Sequence, residues 1–431
     1  MKILHLVSTF PPLTHTFVLR EISLLRKSGL DVVIGELRPL HRNRPAEGFE
    51  DLNPFVDRAR WFSLDMLSGL VFFAIRSPGQ VFECLRIVLN SVSRPRYLIK
   101  IMFVLLSSIR LAYRFRKTGV ALIRADFLHT EALAARFLGI LLGRPYALIV
   151  YTVFTHYPTK VIFELVQAAS FLIADTVQVK NFLEGMGIPP ERIHLIRNGV
   201  SMSEFPERSK NVAPGVPVIL GAGSLITKKG FHVLLAACAI LRQRGVDFRC
   251  VIIGDGYERK RLTDLVAALG LGGTVEMPGY VSLAELRDWY YRAKVFVMPS
   301  IVSPEGETDG LPTVVVEALA SGLPVVGTET ASIPEAIHDG LNGFVVPAEA
   351  PAPLADRIRL LLEREGLREE LGSRGREFVE REFCLERKIE AMSKLILGQA
   401  SAGGFAPGEL PLAGLSNQPK SAVPSTGCEV R

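Results

Sequence analysis

The sequence predicts an α/β protein of two doubly wound, Rossmann-like parallel-sheet domains facing each other across a cleft. Three observations predict it. At 431 residues the chain is too long for one ordinary core. Short apolar runs alternate with amphipathic stretches in both halves, the pattern of repeated strand–helix units. Between the halves lies a segment rich in proline and charge, 206–217, which reads as a linker.

The first unit, 1–205, opens strand–helix–strand. Lys2–Val7 is an apolar run, Phe17–Lys27 has helical spacing through Phe17, Val18, Ile22 and Leu25, and Gly29 stops it before the strand Val32–Leu37. A basic, hydrophobic stretch over 61–117 reads as helical. Alternation resumes with strand Val120–Ile123, helix Thr130–Leu142, strand Tyr146–Tyr151, a helix near Lys160–Ser170 and strand Phe171–Ala174. The second unit, 218–380, is a cleaner series. Strands are expected at Val218–Ala222, Arg249–Ile253, Val275–Met277, Val295–Met298, Pro324–Gly327 and Phe344–Val346, with helices starting near Gly230, Glu258, Leu283, Pro312 and Ile333. A helix over 381–399 is expected to return to the first domain, and the Gly/Pro/Ser-rich segment 400–431 reads as disordered. Parallel sheets of this kind bind ligands beyond the carboxyl ends of their strands, so the cleft is the expected ligand site.

Composition narrows the class. Five scattered cysteines without a C-x-x-C pair indicate neither a disulfide framework nor a zinc site, and point to a reducing cytosol. Residues 1–210 hold 27 Lys+Arg against 17 Asp+Glu, a net +10, and the remainder is −4. No acid occurs between Glu83 and Asp126, where Arg86, Arg94, Arg96, Lys100, Arg110, Arg114, Arg116, Lys117 and Arg124 fall. Such a block attracts an anionic surface unless it is the solvated face of an ordinary core. There is no module for nucleic-acid recognition. The N-terminus does not read as a signal peptide, since Pro11-Pro12 interrupts it. Met66–Ile75 and Ile101–Ile109 are too short to span a bilayer and read as core helices or helices in a membrane interface.

The chemistry concentrates at Val295–Ser300, Asp309–Glu317 and Gly322–Val326. A strand ends at Pro299-Ser300, a polar loop follows, and Pro312 opens a helix where its missing N–H costs nothing. The free N–H groups around Thr313 then offer the positive end of the helix dipole to a diphosphate. Asp309, in the loop, can hold sugar hydroxyls, and Glu317, a turn into the helix, can accept two hydrogen bonds from vicinal hydroxyls, as on a ribose. Either acid alone reads as an ordinary solvated residue; the combination points to a sugar nucleotide. Upstream, Gly221–Gly230 joins a strand to a helix, and Lys228 or Lys229 can reach an anion there or remain solvated. Ile226 occupies the place of the third glycine of a dinucleotide loop, and no P-loop occurs.

At these residues the chain resembles glycosyltransferase family 4, in particular members that build bacterial surface polysaccharides of the colanic-acid type. The resemblance rests on Gly223–Gly230, Gly254–Gly256, Asp309–Glu317, Glu317–Val326, Ile333–Glu335 and Asn342–Val346, with Ser8–Pro11, Thr16–Ile22 and Arg197–Val200 in the first half. It is densest over 190–380. It implies the GT-B architecture and a retaining transfer from a nucleoside diphosphate sugar, without cofactor or metal. Lys229 would neutralise the leaving diphosphate, Asp309 contact the donor sugar and Glu317 hold the ribose. Gly223, Ser224, Lys228, Gly254, Gly310, Leu311, Pro312 and Thr313 would complete the donor site. Thr14, His15, Thr16, Tyr151 and His156 would lie on the acceptor side. The implied partners are the sugar nucleotide, a lipid-linked or oligosaccharide acceptor and an anionic membrane surface, on the cytoplasmic side of the plasma membrane.

The chain departs from the family pattern in four places. Asp309 stands where Glu is usual, Ser224 where an arginine joins the loop lysine, Tyr151 where a histidine ends the P-Y-S-F-T-A-H segment, and Ser201 where Asp follows N-G-V. Loss of a diphosphate cation removes about 2–4 kcal/mol of transition-state stabilisation unless another cation, Lys228 or Arg197, replaces it. These departures leave a second reading open, a partner subunit or sensor that binds a sugar nucleotide without turning it over.

Overall fold

The computed structural model describes residues 1–10, 16–38, 49–58, 63–91, 95–152, 159–207, 215–330 and 332–401. The first half contains strands β1 (Lys2–Val7), β2 (Asp31–Glu36), β3 (Val56–Asp57), β4 (Val120–Asp126), β5 (Tyr146–Val150), β6 (Phe171–Ala174) and β7 (Ile193–Leu195). Its helices are α1 (Thr16–Lys27), α2 (Leu64–Arg76), α3 (Pro78–Ser91), α4 (Pro95–Phe115), α5 (Thr130–Leu142), α6 (Thr159–Ala168) and α7 (Val177–Gly185). The second half contains β8 (Val218–Ala222), β9 (Arg249–Ile253), β10 (Val275–Gly279), β11 (Val295–Met298), β12 (Val325–Thr328) and β13 (Gly343–Val346). Helices α8 (Phe231–Gln243), α9 (Arg259–Ala268), α10 (Leu283–Arg292), α11 (Thr313–Ala320), α12 (Ile333–Ala336), α13 (Pro351–Glu363), α14 (Glu365–Glu382) and α15 (Leu385–Ser401) accompany them.

The two sheets are parallel, with orders β3-β2-β1-β4-β5-β6-β7 and β10-β9-β8-β11-β12-β13. Each order reverses direction at one point, between β1 and β4 in the first sheet and between β8 and β11 in the second. At such a switch point the connections leave the two neighbouring strands toward opposite faces and open a crevice at their carboxyl ends. Burial on both faces explains the composition of the central strands: every residue of β11 is buried, as are four of the five in β8.

Some elements differ from the sequence reading. Strand β4 continues three residues beyond the apolar run Val120–Ile123, because the charges of Arg124 and Asp126 are neutralised inside the fold. Arg124 pairs with Glu21 and lies 3.5 Å from Asp126 Oδ1, and Asp126 Oδ2 is 3.3 Å from His5 Nε2. The short strands β3 and β7 and helix α7 lie outside the apolar runs that marked the other elements.

The chain crosses back between domains at its end. Val200 pairs with the chain around Cys384: Val200 N donates to Phe383 O at 2.9 Å and Leu385 N donates to Val200 O at 3.0 Å. From there α15 places Leu385, Ile389, Met392 and Ile396 in the same core as Ile3, Ile22 and Ile34 of the first domain. Lys388, on the buried face of α15, reaches Glu21 Oε2 at 2.5 Å and Asn198 Oδ1 at 3.0 Å. The segment 208–214 of the expected linker and 402–431 of the expected tail lie outside the described residues.

Candidate functional site

The loop after β8 is held from two sides. Gly223 N donates to Ile253 O and Leu225 N to Asp255 O, both at 2.9 Å, and Ile301 N donates to Lys228 O at 2.9 Å. Gly254 makes this close approach possible: with φ at +134°, a Cβ there would lie 1.9 Å from the Gly223 carbonyl oxygen. Lys229 folds back over Gly223, its Cε 3.6 Å from where a Cβ would stand. Ser224, beside it, is half-buried.

The loop after β11 brings Asp309 to these lysines. Lys229 Nζ is 2.7 Å from Asp309 Oδ2, and Lys228 Nζ is 3.6 Å from Oδ1 and 3.3 Å from Thr308 O. Two cations on one carboxylate leave a net positive charge at the switch point between β8 and β11. Helix α11 begins beside them. Pro312 is the residue before its first turn rather than within it, as the sequence reading had it, and its extended backbone (ψ 125°) turns the chain into Thr313 without any side-chain cap. The first N–H groups are thus presented to the cleft, where an anion is stabilised by both the groups and the dipole. Leu311 and Pro312 pack this turn against the core that contains Val315, Val316 and Leu319.

Glu317, on the second turn of α11, is held by the Tyr290 hydroxyl, which donates to Oε2 at 2.8 Å. Burial pushes the Glu317 carboxyl above the usual carboxylate range; the Tyr290 bond and the cations Arg20 and Arg287 pull the other way, and Glu204 adds to the rise. Arg20 from α1 and Arg287 from α10 converge on Glu204 Oε2, at 3.3 and 2.8 Å. These two arginines, from opposite domains, thus meet at Glu204 and act on the second acid through their charge. Tyr290, Arg287 and Glu204 had no signal in the sequence, since each sits in an unremarkable amphipathic or polar stretch and acquires its role through a partner remote in the chain, and Arg20, although inside Thr16–Ile22, was not singled out there.

Contacts across the junction bring the domains together. A Cβ on Gly310 would lie 2.1 Å from the Tyr151 carbonyl oxygen, so the acidic loop touches the end of β5 directly. The Tyr151 ring points into the first domain's core, 5.1 Å from Phe17 and 4.9 Å from Phe127 between centroids. Thr14, His15 and His156 lie outside the described residues, and Thr16 begins α1. Glu335 of α12 accepts from Val177 N at 2.8 Å and Gln178 N at 3.0 Å, capping α7 across the junction, and pairs with Arg197 Nη1 at 2.9 Å. Arg197 is thereby engaged away from the lysine pair, and Lys228 is the cation beside Lys229. Between these contacts runs a narrow crevice lined by Asp175, Asn198, Val200, Leu311, Thr313 and Val316. Burial raises the Asp175 carboxyl to about 8, and its Oδ1 has no hydrogen-bond partner.

Two doubly wound domains facing a junction of this geometry are the GT-B architecture. Residues 203–378 match the model of glycosyl transferases group 1. A colanic acid biosynthesis glycosyltransferase, WcaL, of Salmonella typhimurium is 36% identical over 220 residues, covering 50% of this chain and 54% of the relative. The amylovoran biosynthesis glycosyltransferase AmsK of Erwinia amylovora is 34% identical over 179 residues, 41% of this chain and 44% of the relative. The chain thus spans about half the length of the curated relatives it matches. Among solved structures, a sucrose-phosphate synthase of Thermosynechococcus elongatus superposes with a TM-score of 0.73 at 19% identity, covering 93% of this chain and 100% of the other. Anabaena HepE, solved in complex with UDP-glucose, gives 0.71 at 17% identity over 92% and 100%. At these identities the likeness is one of fold.

Proposed function

We propose that the protein is a retaining glycosyltransferase that moves a sugar from a nucleoside diphosphate sugar to a lipid-linked glycan acceptor, in the biosynthesis of a surface or extracellular polysaccharide. One observation carries this reading: Lys228, Lys229, Asp309, the start of α11 and Glu317 converge at the β8/β11 switch point. The diphosphate lies on the lysines and the α11 N–H groups, the sugar on Asp309 and the ribose on Glu317, whose rotamer Tyr290 fixes. As the acceptor oxygen bonds to C1, the bond from C1 to the diphosphate oxygen breaks. The electron pair leaves with the diphosphate and the acceptor proton passes to the departing oxygen. Negative charge therefore grows on the diphosphate, where the lysines and helix stabilise the transition state more than the ground state.

Lys228 serves as the second diphosphate cation in place of the arginine that Ser224 replaces. The charge comes from side chains and backbone, so the reaction needs no metal or cofactor. The acceptor enters from the first domain's side, at the cytoplasmic face of the plasma membrane. The names of WcaL and AmsK support the polysaccharide context, and the UDP-glucose in HepE supports the donor class. Incubation of the full chain with a panel of radiolabelled sugar nucleotides and a membrane lipid extract tests the reading. Label passing into the lipid fraction supports it. Donor binding without hydrolysis or transfer would instead support a sensor.

A further inference from the structure

We propose that the outward faces of α2 and α3, with the first turn of α4, form a bilayer-docking surface that lies in the interface of an anionic membrane. The purpose assigned to it rests on the reading that the acceptor is lipid-linked; the contact itself follows from the surface. Both helices are apolar on two sides. In α2, Met66, Gly69 and Phe73 face the core, while Leu64, Leu67, Val71 and Ile75 form a stripe on the other side, with Leu64 82% and Ile75 77% exposed. In α3, Cys84, Ile87, Val88 and Ser91 are buried, and Phe82, Leu85 and Leu89 form the outer stripe, with Phe82 71% and Leu89 72% exposed. Leu98 and Ile99 extend the apolar surface into α4. Stripes recurring at three and four residues are a helix face, and a contiguous apolar face of this size marks an interaction site.

Charge selects the occupant. The two acids on these three helices are both neutralised, Asp65 by Arg114 at 2.8 Å and Glu83 by Arg136 at 2.9 Å. Arg76, Lys100, Arg116 and Lys117 remain exposed around the stripes, as does Arg86, 3.9 Å from Glu164, and Arg116 lies over Phe72 of α2, 5.5 Å from its ring centroid. Of the basic block seen in the sequence, Arg110 is instead buried against Asp57 and Arg124 within the ionic cluster beneath the sheet. An apolar face rimmed by cations suits anionic headgroups above acyl chains. A second copy of this chain would set the same cations against each other. No helix of the described residues is long and apolar enough to cross a membrane, so the contact lies along the surface.

One end of this surface lies toward the junction. Asp65 meets Arg114 and Gly69 meets Ile109, so α2 runs antiparallel to α4 and its end at Ile75 and Arg76 lies toward the start of α4. Helix α4 leads into β4 and therefore starts on the side of that strand's carboxyl end, where the first domain faces the junction. Leu98, Ile99 and Lys100 are thus the part of the surface nearest the junction.

The test sediments the full chain with phosphatidylcholine vesicles containing or lacking phosphatidylglycerol. One variant carries Leu67→Ser, Val71→Ser and Ile75→Ser, which alter exposed positions only, and another carries Arg76→Glu, Lys100→Glu and Lys117→Glu. The wild type is expected to pellet with the anionic vesicles, and each variant to lose at least about tenfold in partitioning. A wild type that stays in the supernatant, or variants that bind as it does, overturns the proposal. So does sedimentation velocity showing a wild-type dimer that the serine variant dissociates while vesicle binding is unchanged, since the face would then join copies of the chain. Nucleotide binding measured in parallel separates the two readings: it survives in both variants if the donor site is as described, and its absence in a vesicle-binding wild type defeats the enzymatic reading alone.

Discussion

Replacing Lys229 by alanine probes the site at its most charged point. Lys229 Nζ sits 2.7 Å from Asp309 Oδ2, and Lys228 Nζ 3.6 Å from the other oxygen of the same carboxylate. Removal of one donor aimed at a developing anion costs about 2.7–4 kcal/mol. Lys228 is near enough to take up part of that, leaving a loss of about 2 kcal/mol, or roughly thirtyfold in kcat/KM. Lys228→Ala alone is expected to cost less, about fivefold, because Lys229 keeps the shorter contact. The double variant should lose more than the product of the single effects, since each lysine covers for the other. The assay is nucleoside diphosphate release under saturating and limiting donor. A Lys229→Ala enzyme within about threefold of wild type, with Lys228→Ala equally mild, would refute the assignment of the leaving group to this pair.

Three further perturbations test the junction and its buried charges. Gly310→Ala must displace either the acidic loop or the end of β5, as its Cβ would stand 2.1 Å from Tyr151 O. A misplacement of roughly 1 Å costs about a hundredfold in turnover, with nucleotide binding to the second domain retained by calorimetry. Glu335→Ala removes the acceptor for Val177 N, Gln178 N and Arg197 together; the ligand-free chain should scatter X-rays with a larger radius of gyration, and an unchanged radius would show that other contacts hold the domains closed. Asp175 is raised to about 8 from an ordinary value of 3.8, so between these values the folded state holds a proton the unfolded chain has released, and this group's contribution falls as pH rises through that window. Asp175→Asn should therefore raise the melting temperature more at pH 8 than at pH 5, and an equal change at both would contradict the assignment.

How much of this was legible in the sequence depended on how local the physics was. The strands of the second domain were visible as apolar runs because a parallel sheet buried on both faces demands them. The donor loops were visible because glycine, proline and acid spacing act over a few residues. Strand β4 was cut short because Arg124 and Asp126 read as a polar end, and only the fold shows Arg124 set between Glu21 and Asp126, with Lys388 on Glu21 and His5 beside Asp126. Tyr290 reaches Glu317 from 27 residues upstream, and Arg197 reaches Glu335 across 138 residues. Glu335 itself was quoted as part of a motif, but its partners at the start of α7 belong to the other domain, and no spacing rule joins them. The two outer stripes of α2 and α3 were half seen: composition marked the stretch as apolar and basic, while which residues turn outward follows only from packing against α4 and α5.

Calorimetric titration of the full chain with UDP, GDP, ADP and dTDP sugars tests the central claim most directly. The account predicts saturable binding of at least one of them, abolished in a chain carrying Lys229→Ala and Glu317→Ala while circular dichroism shows the fold intact. Binding to none of these sugar nucleotides, or binding that survives both substitutions unchanged, would contradict a donor site at the β8/β11 switch point.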